Sequence, residues 1–561
     1  MKLVFFIALF SCLSFGQQYP KDFISPLDIP LDVSGSFGEL RSNHFHSGLD
    51  LKTQQKEGLP VYAVGDGYIS RIKISTYGYG KAIYITHPNG YTTVYGHLQK
   101  ANGAIENYIK KTHYAQKSFE IELFLKPNEL PVKQGEVIAF SGNSGGSGGP
   151  HLHFEFRETT SEKTVNPLFF GFNKLAEDKH APVVQSVMVY PMDSTIVNKS
   201  QRPIPVSINK QADGSYLAAK VIANGKIGFG INAFDYCTNL YNKNGLYKIN
   251  AYLNGVLYYQ FEIEKFAFDE SRYINNFIDY EHFKASNQRV QKLFHHSPYP
   301  LSVLKSNKNN GIINTQPNAN YNFRIELFDF HENKTVITIP IEFGVQPVSL
   351  TKKEQKTPYF LKAKNEHNYS KDNISVYIPE NTFYDDFYLD FDVKDNVLTL
   401  HNSSVPVHKN MTITFDNVQG LTEEQLQKSF IASVSGPSLS YNKSTRKGTT
   451  FKTYTKNLGK FKIAQDSIPP RIYNVNFVEG KNLKNQSTLS VFISDNLSGI
   501  DSYNAYLNEE WILMEYDYKT KKLVHQLSDG KFKEGRNDFK VIVIDNMQNS
   551  TTFESYFFMN N

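Results

Sequence analysis

The chain has 561 residues, a formal net charge of +5, 40% hydrophobic and 20% charged residues, which is too long for one core and calls for several domains. The positive charge is spread thinly with no lysine or arginine run, so nucleic acid is not expected as a partner. Tyr 35 and Phe 42 against one Trp, with many Thr, Val and Ile, point to a mostly β protein.

The opening MKLVFFIALFSCLSFG places one lysine before an apolar run and small residues, the layout of an export signal over residues 1–16. The run is shorter than the roughly 20 residues a membrane span needs, so the expectation is a mature chain without a transmembrane segment. It would be exported to the periplasm or cell envelope, or secreted. A lipoprotein attached through Cys12 is a minor alternative, because Phe10 is bulky for such a signal. Cleavage would leave Cys237 alone, so no intramolecular disulfide could form in the mature chain.

Residues 17–175 read as one antiparallel β domain. Short apolar runs alternate with glycine-rich turns, and Asn89-Gly90 between two such runs signals a hairpin. Residues 178–345 and 466–561 read as a duplicated β-sandwich domain. Each opens on DxxxP (Asp178 to Pro182, Asp466 to Pro470), carries NAYLN (Asn250–Asn254, Asn504–Asn508) and closes on Asp and Asn four residues apart (Asp329 and Asn333, Asp545 and Asn549). The first copy is stretched by an insertion near 266–321. Residues 348–464 read as a further β domain in which only TEEQLQKSFI looks helical.

The chemistry concentrates in the first domain. In HLHFEFR a strand would place His151, His153 and Glu155 on one face and Leu152, Phe154 and Phe156 on the other. Three ligands from His, Asp and Glu with an open fourth position describe a catalytic zinc centre. HExxH is absent, which excludes a helical zincin, and paired CxxC motifs are absent, which excludes a zinc ribbon. A split site remains: HxxxD at His46 and Asp50, HxH at His151 and His153, and His97 in YGHL. Zinc held by two imidazoles and a carboxylate keeps a net positive charge, which can bring the pKa of water from ~16 toward ~7.

HSGLD, GLPVYAVGDG, YGHL and GNSGGSGGPHLHFE resemble, in order and spacing, the lysostaphin-type zinc endopeptidases of family M23, over about residues 35–170. The resemblance implies one Zn2+ per chain bound by His46, Asp50 and His153, with His97 and His151 assisting catalysis. It implies an exported zinc metalloendopeptidase acting on peptide stems or cross-links of bacterial peptidoglycan, followed by several immunoglobulin-like domains available for a protein partner. The competing readings are an inactive relative that binds cell wall or activates an amidase, and a metallopeptidase acting on proteins.

His44 fits no family position and reads as a rim or core histidine. Glu155 reads as bonding behind a ligand or as a surface group, and His87 and His113 as ordinary. GNSGG resembles a nucleophile elbow around Ser144 but lacks a following helix; its glycines suit close approach of a backbone wall to an extended peptide. The insertion containing YIKKTHYAQKSFEIELFLKP reads as an extra hairpin at the groove edge.

Overall fold

The computed structural model describes residues 19–176, 178–237, 241–296, 301–351 and 356–560. The expected export signal and Cys12 lie outside them. Among the described residues, no helix is long and apolar enough to cross a membrane.

The N-terminal unit is built on a strongly antiparallel sheet. Its strands run Val33–Gly35, Leu49–Lys52, His151–Glu158, Tyr91–Gly96, Lys81–Thr86, Gly67–Ile74 and Ile121–Phe124 in spatial order. Asn89-Gly90 lies in the turn between two neighbours, with Gly90 at φ +86. The His151–Glu158 strand is central. Leu152, Phe154 and Phe156 are fully buried on its core face, where Phe156 stacks on Phe170 at 3.9 Å and Phe154 on Phe172 at 5.3 Å. The opposite face carries His151, His153, Glu155 and Arg157, as period-two alternation requires.

Register makes the site. His153 lies opposite Asp50 on one neighbour and Gly96 on the other, so both halves of the histidine chemistry meet across three adjacent strands. The HSGLD segment comes so close that a Cβ on Gly48 would sit 2.3 Å from the Phe154 carbonyl oxygen.

The YIKKTH insertion differs from the expected hairpin. Gly103–Gln116 is an α-helix that buries Ile105, Ile109 and His113, spaced four apart on one face. Only Ile121–Phe124 that follows it is strand, added to the sheet edge.

Thr164–Val165 pairs with Lys265–Phe266, carrying the sheet onward, and one hydrophobic core extends from Tyr19 to Ile341. Residues 361–463 and 477–557 hold separate cores. The latter lies between two four-stranded sheets, the arrangement of a sandwich.

The two NAYLN stretches are built alike. Asn254 and Asn508 take left-handed turns (φ +50 and +51), and their side-chain oxygens accept from the backbone N–H of Asn322 and Asp538. Asn333 donates to Asp329 and to the Asp178 carbonyl; Asn549 donates to Asp545 and to the Asp466 carbonyl. Thr335 and Thr551 donate to the Pro182 and Pro470 carbonyls. These contacts fix each DxxxP opening against its closing loop.

The last sandwich folds back onto the first unit. Asp529 accepts from Lys110 Nζ at 2.7 Å and Tyr114 Oη at 2.8 Å on the Gly103–Gln116 helix, Lys81 pairs with Glu515 at 2.7 Å, and Tyr77 packs on Tyr518.

Gly48→Ala should cost about 2–3 kcal/mol, because the obstruction is backbone and cannot rotate away. A urea midpoint unchanged from the parent would contradict the described approach of HSGLD to the central strand.

Candidate metal centre

The central strand, the HSGLD segment and the YGHL turn deliver five groups to one hollow. His46 Nε2, Asp50 Oδ1 and His153 Nδ1 lie 2.9 to 3.1 Å from one another. A tetrahedral zinc with bonds of about 2.0–2.1 Å spaces its ligand atoms by about 3.3 Å, so this triangle needs an opening of only a few tenths of an ångström. All three residues are buried.

Each donor is oriented from behind. The His46 Nδ1–H donates to the Ser36 carbonyl at 2.8 Å, since a carbonyl can only accept, which leaves the Nε2 lone pair facing inward. His153 works the other way round. Its Nε2–H donates to Glu155 Oε1 at 2.8 Å, leaving Nδ1 for the hollow. Asp50 turns Oδ1 inward while Oδ2 accepts from Arg41 at 2.9 Å. Burial raises the Asp50 carboxyl, but His46, His151 and His153 around it hold it well below the usual range. Burial lowers His153, and the two carboxylates on either side more than reverse this, to about 9.

Glu155 is fully buried and anchors the assembly. It accepts from His153, Ser47 Oγ and Tyr79 Oη through Oε1, and from Arg157 Nε at 2.7 Å through Oε2. Tyr79 also stacks on His153 with centroids 4.9 Å apart. Despite burial, Arg157 and His153 hold the Glu155 carboxyl far below its ordinary value. It is an ionised second layer beneath the ring of His153, and its surface reading is set aside.

His97 and His151 stand beside the triangle, their rings 4.7 Å apart. His97 adopts φ +59, which ends the strand after Gly96 and turns the imidazole over His153 at 5.9 Å. Its Nδ1–H donates to the Ser144 carbonyl at 2.8 Å, and burial followed by the neighbouring imidazoles His153 and His151 pushes it down to about 3, a neutral ring. His151 donates Nδ1–H to the Gly149 carbonyl at 2.8 Å and brings Nε2 to 3.4 Å from Asp50 Oδ1. Both therefore present Nε2 to the hollow.

The remaining sequence candidates fall elsewhere. His44 is exposed and outside the cluster. His87 bonds the Asp66 carbonyl and Thr93, and His113 bonds the Ser118 carbonyl near the helix end. Ser144 Oγ donates to the Leu98 carbonyl and accepts from Lys81 N, and no helix follows it before the His151–Glu158 strand, so no nucleophile elbow exists. Gly142 and Gly145 are required by the chain itself: a Cβ would lie 2.4 Å from Gln99 N and 2.3 Å from Gly80 N respectively. Gly148 and Gly149 face open space.

Sequence reasoning missed Tyr79, Ser47, Arg41 and Arg157. Arg157 had a readable signal, being the next residue of the same strand face after Glu155. The other three are brought in by the fold.

Residues 44–167 match peptidase family M23, and residues 358–466 match a Zu5-like domain. Residues 44–167 are a peptidase family M23 domain. An uncharacterized metalloprotease of Haemophilus influenzae is 35% identical over 160 residues, covering 27% of this chain and 28% of that protein. The DD-carboxypeptidase/endopeptidase Mpg of Neisseria meningitidis serogroup B is 36% identical over 141 residues, covering 24% and 26%. The peptidoglycan DD-endopeptidase ShyC of Vibrio cholerae serotype O1 is 29% identical over 194 residues, covering 33% and 36%. The similarity thus spans about a quarter to a third of these relatives. Every residue of the hollow belongs to the M23 domain or, for Ser36 and Arg41, to the strand and turn that lead into it.

Glu155→Ala strands the buried Arg157 guanidinium and should destabilise the M23 domain by about 3–5 kcal/mol. Glu155→Ala/Arg157→Leu should recover most of that loss in urea unfolding; equal losses in both would show that the pair is not the source.

Proposed function

We propose that the M23 domain is a zinc-dependent endopeptidase that hydrolyses peptide cross-links of peptidoglycan outside the cytoplasm. The observation that carries this reading is the inward-facing triangle of His46, Asp50 and His153 with the Nε2 atoms of His97 and His151 beside it. Two imidazoles and one carboxylate, each oriented from behind, form a donor set suited to zinc with a position left for water or substrate. The DD-endopeptidase names of the relatives and the signal-like residues 1–16 support the substrate and the compartment.

Zinc held there would supply a Lewis acid that polarises a peptide carbonyl and makes water acidic enough to attack near neutral pH. The residues of the chain do the rest. Glu155 fixes the tautomer and plane of the His153 ring, and the Ser36 carbonyl does the same for His46. His97, held neutral, accepts a hydrogen bond from the attacking water through Nε2 and so aims it. His151, nearer the open glycine stretch at Gly148 and Gly149, takes up the proton and passes it to the leaving amine. The open backbone there leaves room for an extended peptide to lie alongside.

A metal-free, wall-binding role would not need all five positions filled, nor the buried Glu155–Arg157 support behind a ligand. We favour the enzyme for that reason.

The purified chain, digested with peptidoglycan sacculi and read by mass spectrometry of the released muropeptides, should generate new termini at cross-links and stop when a chelator is added. Zinc content should approach one per chain, vanish in His46→Ala and persist in His44→Ala. His97→Ala should retain zinc yet lose about 10²–10⁴-fold in cleavage. Full cleavage by His46→Ala would overturn the metal assignment, and zinc-loaded protein inert on every wall preparation would overturn the substrate.

A further inference from the structure

A second set of carboxylates gathers where the first repeated unit meets the M23 domain. Asp178 comes from the DxxxP opening, Asp235 from the end of the Lys226–Tyr236 strand and Asp329 from the closing loop. They are 8%, 2% and 3% exposed. Donor atoms of Asp178, Asp235 and Cys237 lie within 4.8 Å of one another, as do those of Asp178, Asp329 and His331. Among the described residues no lysine or arginine pairs with any of the three aspartates; the ion pair in which one takes part is Asp178 with His180.

The surroundings are short of partners. Asp178 Oδ2 and Asp235 Oδ1 have no hydrogen-bond donor. Asn244 lies directly opposite Asp235 in antiparallel register, so the two side chains share a face. It is 2% exposed, yet neither its amide oxygen nor its amide nitrogen has a partner. Buried amides are ordinarily satisfied, and this one, orphaned on the same face as Asp235, points to a ligand between the two side chains. A cavity of about 40 Å³ lies between the aspartates, Ser36 and Gly245, room for an ion or a water or two. Asp178, Asp235 and Asp329 all line that cavity, so a cation seated among them would offset the repulsion between their carboxylates.

The second repeated unit identifies the ion class. Its equivalent aspartates, Asp466, Asp495 and Asp545, bring their oxygens within 4.8 Å of one another, and Asp495 Oδ1 and Ser498 Oγ again lack partners. The softer donors do not recur: Leu497 and Met547 stand where the first copy has Cys237 and His331. What the duplication keeps is oxygen, and an all-oxygen set of several carboxylates and an amide carbonyl suits calcium rather than zinc.

We propose that Asp178, Asp235 and Asp329, with the side-chain carbonyl of Asn244, bind a calcium ion at the seam between the M23 domain and the first repeated unit. The seam matters to the hollow described above. Gly245 N, next to Asn244, donates to Ser36 Oγ at 2.9 Å, and the Ser36 carbonyl is the group that orients His46.

The test is calcium binding to the zinc-loaded full chain by equilibrium dialysis, with wild type, Asp235→Asn and Asn244→Ala compared. Wild type should bind calcium at or below the ~1 mM typical of weak extracellular modules, and Asp235→Asn should bind one ion fewer per chain. Asn244→Ala should weaken that ion at least about threefold. Thermal unfolding gives a second readout. Asp235→Asn relieves buried repulsion, so it should melt higher than wild type without calcium and gain less from adding it. No calcium on wild type at about 1 mM, an equal count in Asp235→Asn, or zinc displacing the seam ion would each overturn the proposal.

Discussion

The hollow depends on one buried chain of contacts, from the His153 ring to Glu155 and on to Arg157. A histidine ring has two nitrogens, and committing Nε2–H to a carboxylate leaves Nδ1 as the only atom that can face Asp50 and His46. The carboxylate can remain charged in a fully buried position because Arg157 lies against its other oxygen and two hydroxyls, from Ser47 and Tyr79, complete its bonding. Such a pair gains little net stability against its desolvation. What it does provide is direction, since the ring plane, the tautomer and the donor atom are all set before any ion arrives.

Much of this was legible because strand geometry is simple. Alternation in HLHFEFR separated the face of His151, His153 and Glu155 from the apolar face, and the same alternation extended by one step reaches Arg157. The pairing of His46 with Asp50 rested on their four-residue spacing and on the GLD context of the M23 resemblance, and the structure sets His44 apart: it lies exposed, while Phe45, His46 and Asp50 are buried. Tyr79, Ser47 and Arg41 were not legible. Their roles come from the sheet bringing a glycine-flanked turn and a loop over the central strand, contacts with no local periodicity.

The fold divided in the same way. Asn-Gly marked a hairpin, and the recurring Asp and Asn signals lie in matching hydrogen bonds, Asn333 to Asp329 and the Asp178 carbonyl, Asn549 to Asp545 and the Asp466 carbonyl. The Gly103–Gln116 helix escaped notice because its buried face is narrow, two isoleucines and a histidine set four apart in a polar and basic stretch. Its exposed side is used as well. Lys110 and Tyr114 hold Asp529 of the last sandwich, while Lys519 reaches the carbonyls of Asn143 and Ser147 on the glycine wall beside His151. The last sandwich thereby reaches the rim of the hollow in the M23 domain.

The account stands or falls on which atoms face the ion. Anomalous diffraction at the zinc edge from crystals of the zinc-loaded chain would locate it directly. The account predicts one strong peak bonded to His46 Nε2, Asp50 Oδ1 and His153 Nδ1, with His97 and His151 outside bonding distance. A peak bonded through His153 Nε2, or one held by His97 and His151 in place of the triangle, would contradict it.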